Sequence, residues 1–306
     1  MIKQVMEKFY HILIKQDGSI IHDTFATNHK DLELKWLSPK ERQKKNYFKA
    51  YFSPKENHKL IDVNNYELIN AEIYYPDWFT DLMREETIEK LKAIISGMII
   101  RTRKPLLLHE GAILANGAVI DEVKHSIIFG MYEKAKIKTL DESSDVRDMT
   151  DETSIDVMRD GTRVLNMWGF AKIYNMKEYS KVMKMYGQAK IGVMEDHSRI
   201  VTLKGDASIK EMEGESQADR LKHMSSVEEM RGYSVIEEMW DWTVVKKMTE
   251  YARIEFMDDD AKVLSVEGKN IIECMCGNSV VERLSKDSLV RQLEDAAQIL
   301  KKELED

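Results

Sequence analysis

Ser180-Lys181-Val182-Met183-Lys184-Met185, Ala189-Lys190-Ile191-Gly192-Val193-Met194 and Ser198-Arg199-Ile200-Val201-Thr202-Leu203 are three windows of one pattern, each nine residues after the last. A small residue opens each window at position 1, a β-branched residue holds position 3, and Met or Leu holds position 6. Gly, Asp or Glu usually follows at position 8. The pattern runs from Gly117 almost to the end of the chain. Its position 3 column begins with Val119 and Ile128 and closes with Val281 and Val290; Ala218 alone in it is not β-branched. Its position 6 column, from Met131 to Leu284, takes up most of the 19 methionines. These read as adaptable core fillers rather than as a soft binding surface. A fixed period of this kind specifies a solenoid.

The period excludes a helix. Nine residues at about 100° each turn a side chain through about 900°, half a turn out of phase, so no continuous apolar stripe would form. In a strand, positions 1 and 3 share one face and position 2 points away. Position 6 then points inward again after a bend, and Gly or Asp at position 8 marks a tight corner. Position 1 alternates between Ala171, Ala189, Ala207 and Thr162, Ser180, Ser198, Ser216, Ser234, while Gly169, Gly187 and Gly205 recur in step. Like stacks on like in such arrays. The fold class expected is therefore mainly β: a parallel β-solenoid over residues 117–287 with about 18 residues per coil and about 48 Å of length from ~4.8 Å strand spacing. A 27-residue coil is the alternative. Residues 288–306 carry Leu289, Leu293, Ala296, Ala297, Leu300 and Leu304 at helical spacing, which reads as a capping helix over the last coil, or a dimerising one.

Residues 1–116 lack the repeat and hold all 4 prolines. They read as a small α+β domain. Tyr10 to Lys15 alternates as a strand, Asp17-Gly18 as a turn and Ser19 to Ile21 as its return. Ser38-Pro39-Lys40-Glu41 is a helix start. Ile69 to Tyr75 reads as a strand, Glu85 to Ile100 as a helix, and Leu106 to Leu108 as the strand leading into the rod.

No segment reaches the ~18 apolar residues of a membrane helix, and the polar start Met1-Ile2-Lys3-Gln4 carries no secretory stretch, so a cytoplasmic chain with no membrane association is expected. The 2 cysteines, Cys274 and Cys276, flank inward Met275 and so face outward, too close for an ordinary bridge. With no Cys or His in the neighbouring coil, no metal site is assigned. The paired glycines and aspartates of calcium-binding nonapeptides are absent, although Asp258-Asp259-Asp260 has the oxygen donors to hold an ion weakly. No cofactor is implied. His22-Asp23, His58 and His109-Glu110 belong to no spaced catalytic constellation. His22, Asp23, Arg101 and Arg103 are the catalytic candidates that the sequence offers.

The rod's surface says more. Position 2 reads Arg163, Lys172, Lys181, Lys190, Arg199, which eighteen-residue coils divide into Lys172 with Lys190 on one side and the other three opposite. Corner positions 7 and 9 carry Trp168, Phe170, Tyr179, Tyr186, Tyr233, Trp240, Trp242 and Tyr251. Corners need no aromatics, and clustered exposed rings are typical interface anchors. Trp168, Tyr186, Trp240, Trp242, Lys172 and Lys190 are thus the candidate binding residues. Acids from Asp141 to Asp160 crowd the early rod. The net charge of −8 disfavours direct nucleic-acid binding and is compatible with an acidic mimic of a nucleic acid.

Ser234-Val235-Ile236-Glu237-Glu238-Met239-Trp240-Asp241-Trp242 and Ser279-Val280-Val281-Glu282-Arg283-Leu284 resemble the Ser-x-Val-x-x-Met-x-Gly-x nonapeptides in tandem-repeat β-solenoid proteins of gut bacteria and their phages. The resemblance covers roughly residues 117–290, with Asp241 at the glycine position and Leu284 at the methionine position. It implies a repeat type and no activity. The function expected is that of a binding or structural protein offering a rigid surface to a protein or glycan partner, with a homodimer as one form of assembly. The alternatives are an N-terminal enzyme domain acting on a nucleotide or partner protein, and the acidic mimic.

Overall fold

The structure is a computed structural model and describes residues 10–24, 26–56, 58–108 and 111–302. It divides into two compact units. One comprises Met1–Ile100 with Glu110–Ile113; the other comprises Arg101–His109 with Leu114–Asp306.

In the first unit, strands β1 (Tyr10–Lys15), β2 (Ile20–His22), β3 (Tyr47–Pro54) and β4 (Tyr66–Asn70) form an antiparallel sheet in the order β2-β1-β3-β4. The hairpin turns at Gly18, where φ is 77°. Helix α1 (His29–Trp36) packs Leu32 against Leu13 and Leu37. Helix α2 (Pro39–Lys44) has the capping box its sequence announces: the Ser38 side chain accepts from the Glu41 N–H, and the Glu41 carboxylate accepts from the Ser38 N–H. Helix α3 (Asp81–Met98) buries Thr87, Leu91 and Ile95. Strand β3 and helix α1 carry no sequence signal strong enough to stand out. The strand expected at Ile69 to Tyr75 lies earlier, at β4, and bends occupy residues 71–74.

The second unit is a parallel β-solenoid. One sheet stacks twelve strands, from Arg103–Leu108 through Val119–Lys124 and Lys172–Met176 to Gln298–Lys302. The facing series runs from Ile127–Met131 through Arg163–Met167 to Leu289–Leu293. After the first coil, ladder partners lie eighteen positions apart, as Lys172 with Lys190 and Ile173 with Ile191, which decides against the 27-residue coil. Strands occupy positions 2–6. Positions 3 and 6 are buried while 4 and 5 face outward, so the period-2 alternation must break between them. It breaks at position 4, which drops out of the ladder: Asn175 pairs with Val193 and Met176 with Met194, but Tyr174 has no ladder partner in Gly192. The two inward columns, Val or Ile and Met, are buried along the rod from Ile128 to Leu284, and the position 1 residues fill the space beside them.

Two expectations are corrected. The register of the first coil is shifted: Ile120, not Val119, aligns with Ile137 and is buried, because Ala118 opens that repeat after the corner at Gly117. The repeat that Ala118 opens ends at His125, one residue short of a nonamer, because Ser126 opens the next. The second correction concerns residues 288–306. No capping helix forms over the described part. Leu289–Leu293 and Gln298–Lys302 are strands on the last coil. The apolar spacing that suggests a helix coincides with the nonamer, which persists as Ser288, Val290, Leu293 and Asp295, then Ala297 and Ile299. An open ladder edge supplies a hydrogen-bond partner for each strand, and that template outweighs local helix propensity. Leu304 lies outside the described residues.

Candidate functional site

The corners between the two sheets carry the residues of interest, and their backbone sets the rules. The position 7 N–H donates to the position 6 carbonyl one coil earlier, as Trp168 to Met149 at 2.8 Å. At several corners the position 9 N–H donates to the position 8 carbonyl one coil earlier, as Phe170 to Asp151 at 2.9 Å and Tyr233 to Gly214 at 2.8 Å. The remaining corner donor is the position 8 N–H. An acid at position 8 of the next coil receives it: His223 donates to Asp241 at 2.8 Å, Gly232 to Glu250 at 2.9 Å and Asp160 to Glu178 at 2.9 Å. Position 8 also has positive φ at most corners, as 53° at Asp160, 65° at Gly187 and 91° at Gly268. Glycine answers the dihedral, and the acid answers the donor.

That frame leaves positions 7 and 9 to face outward, and the aromatics fall into two rows. After the Arg163–Met167 series come Trp168, Phe170, Tyr186, Trp240 and Trp242; after the Lys172–Met176 series come Tyr179, Tyr233 and Tyr251. Rings eighteen apart stack: Trp168 on Tyr186 at 4.5 Å, Tyr179 on His197 at 5.0 Å and Tyr233 on Tyr251 at 5.3 Å. Trp240 is half-buried, with its N–H on Glu238, the Phe256 ring beside it and Lys222 over its face. Trp242 is 63 % exposed and Tyr179 70 %. Of the candidate binding residues, Trp168, Tyr186 and Trp240 therefore belong in part to the scaffold, and Trp242 stands outward. Tyr179 and Tyr233 are equally open and form the second row.

Lys172 and Lys190 are register neighbours, both exposed, with Tyr174 on the same outer face. On the opposite side Arg163 grips Asp145 at 2.6 and 2.9 Å, and Arg199 grips Asp219 at 2.7 and 2.8 Å. The Lys172–Lys190 strip, by contrast, turns both of its charges to water. The early acids are engaged too. Asp141 is buried under two Arg159 hydrogen bonds; burial opposes its ionisation, yet the Arg159 guanidinium holds its carboxyl below the usual range. Asp156 meets Lys136 at 2.9 Å. This pairing leaves little of the acid run free for nucleic-acid mimicry.

The four catalytic candidates each have a local partner. The His22 ring nitrogen Nδ1 lies 2.8 Å from the Tyr10 hydroxyl, and burial lowers the ring's basicity. Asp23 pairs with Lys35 and accepts from the Trp36 indole N–H at 3.2 Å. Arg101 faces Glu133 at 3.8 Å and Arg103 faces Asp121 at 3.1 Å. His22 and Asp23 belong to the first unit, Arg101 and Arg103 to the second. A cleft of about 480 Å³ in the first unit is lined by Lys15, Asp17, Glu41, Lys44 and Tyr47 among others, and by none of the four. His58 lies 3.7 Å from Asp62; His109 and Glu110 are outside the described residues.

One cluster escaped sequence reasoning. Cys274 and Cys276 point the same way from the Ile271–Met275 strand and the corner after it, with their sulfurs 3.4 Å apart. Glu294, eighteen residues beyond Cys276, brings a carboxylate oxygen to 3.9 Å from its sulfur. Burial first, then the Cys274 thiol, pushes the Cys276 thiol up to about 12. The adjacent coil offers these thiols a carboxylate rather than a Cys or His, and the coil period itself, applied to acids, is the signal that points to Glu294. No helix among the described residues is long and apolar enough to cross a membrane. Comparison of the chain with protein-family models, with curated proteins and with solved structures found no match to any of the three.

Proposed function

We propose that this chain is a non-enzymatic binding protein whose solenoid presents two rows of corner aromatics, with the Lys172–Lys190 strip, to a protein or glycan partner. One observation carries the reading: Tyr179, Tyr233 and Trp242 are each at least 63 % exposed at the corners of a scaffold whose strands are held in stacked parallel ladders. Large rings kept in water on a rigid frame lose little conformational freedom on binding, which is why Trp and Tyr anchor interfaces. A homodimer through one aromatic row is the self-associating form of the same reading, and a cytoplasmic setting goes with it.

The test compares wild type with Trp242→Ser and with the double variant Tyr179→Ser, Tyr233→Ser. Glycan arrays, cross-linking to candidate proteins and light scattering read the three forms of partner. Loss of a wild-type interaction in either variant, with an unchanged β signature by circular dichroism, supports the proposal. Turnover of a metabolite or nucleotide pool, abolished by one substitution in residues 10–100, would overturn it in favour of an N-terminal enzyme.

A further inference from the structure

We propose that Cys274, Cys276 and Glu294 bind a zinc-class divalent ion that staples the last coil of the solenoid to the coil before it. The donor set is two thiols and a carboxylate, and one atom from each lies within 4.8 Å of the others. Tetrahedral zinc, with bonds of about 2.3 Å to sulfur and about 2.0 Å to oxygen, places neighbouring sulfurs ~3.8 Å apart and sulfur and oxygen ~3.5 Å apart. The observed separations, 3.4 Å between sulfurs and 3.9 Å from Cys276 to Glu294, bracket those values without any change of backbone. Two sulfurs select zinc, cadmium or cobalt over calcium and magnesium, which take oxygen. Each thiol that ligates releases its proton to solvent, so the bound site is two thiolates and one carboxylate around a dication, with a fourth position open to water.

The site's place in the ladder supplies its consequence. Cys274 and Cys276 follow from the Ile271–Met275 strand, and Glu294 follows the Leu289–Leu293 strand that pairs with it. Leu293 occupies the core position of its repeat, yet it is 52 % exposed, because the described chain places no further strand on that series. A terminal repeat has one neighbour instead of two and opens first. An ion held by both coils opposes that opening.

The experiment uses the full chain, reduced, stripped with chelator and titrated with Zn²⁺ and, as a spectroscopic probe, Co²⁺. About one equivalent is expected to bind, and the cobalt form should show a thiolate charge-transfer band with the intense visible bands of tetrahedral coordination. Hydrogen exchange over residues 289–302 should slow on zinc binding, while exchange over residues 172–203 stays the same. Cys274→Ser should abolish the thiolate band. Glu294→Gln should keep a thiolate band, weaken zinc binding by ~10-fold or more and remove the protection of residues 289–302. Circular dichroism controls for folding, and because Glu294 is exposed its variant tests the idea even if a cysteine variant misfolds. Absence of cobalt–thiolate absorption in the reduced wild type, zinc uptake undiminished in Glu294→Gln, or an unprotected terminal coil would each overturn the proposal. Finding only a Cys274–Cys276 disulfide, with no metal uptake after reduction, would do the same.

Discussion

Asp160 shows how a single corner residue carries a pH dependence. Its φ is 53°, and its backbone N–H is held by Glu178. Hydrogen bonding to the Glu178 carboxyl, and next to Asp141, raises its own carboxyl to about 6 from 3.8. A folded-state value above the unfolded one means that the folded chain holds this proton more tightly. The stability it contributes is complete below about pH 4 and is lost as pH rises through about 6. Asp160→Asn is therefore expected to melt above wild type near pH 8, the gap closing as pH falls from about 6 to about 4, and thermal melts across that range check it. The inward columns are tested by a contrast. Val182 is wholly buried and Lys181, next to it, is not. Val182→Asp should cost ~4 kcal/mol or more by burying a carboxylate without a partner. Lys181→Asp should stay within about 0.5 kcal/mol. The hydroxyls of Thr162, Ser180, Ser198, Ser216 and Ser234 form a buried column with no hydrogen-bond partner among the described residues. Ser198→Ala is expected to leave chemical denaturation unchanged or to stabilise, since it removes an unmet polar group at nearly constant volume.

At the scale of the element, the corner and the strand kink decide which residues a nonamer can accept. Asp241 combines a φ of 58° with a bond to the His223 N–H. Asp241→Ala loses the acceptor and tolerates the dihedral less well, and is expected to cost about 1–3 kcal/mol. Asp241→Asn, which keeps an oxygen and is at ease in the left-handed region, should cost less than half of that. Denaturant titration of the pair separates the two contributions. Position 4 of the strand has its own constraint. A Cβ on Gly192 would collide with the Tyr174 carbonyl oxygen, a backbone atom that a stacked ladder cannot easily move. Gly192→Val should accordingly destabilise the coil containing Lys190–Met194, visible as faster hydrogen exchange there. The helix expected at residues 288–306 fails at this same scale. Leu289, Leu293, Ala297 and Leu300 satisfy a three-to-four spacing and a nonamer at once, and only a neighbouring strand to pair with distinguishes them.

For the whole molecule, stability in the second unit is a sum over stacked coils, each in contact with its neighbours. Deleting residues 288–306 removes one coil and exposes the next, so the shortened protein should keep the β signature of the remaining rod and melt a few degrees lower; global unfolding would show the terminal coil to be essential. The sequence alone determined the solenoid, its inward columns, its eighteen-residue coil and the division of the basic residues between two sides, because a period repeated about twenty times averages out local ambiguity. It also placed the hairpin, the capping box at Ser38 and the aromatic rows. Where the pattern is not repeated, it carried less: α1 and β3 went unread, and His22, Asp23, Arg101 and Arg103 were selected by residue type alone. The tertiary structure decided the frame of the first coil, the strands at the end of the rod, and which charges face water unpaired. It also joined Glu294 to Cys274 and Cys276. Each of these depends on what the adjacent coil offers, since ladder partners, buried ion pairs and ligands from separate turns exist only once the turns are stacked.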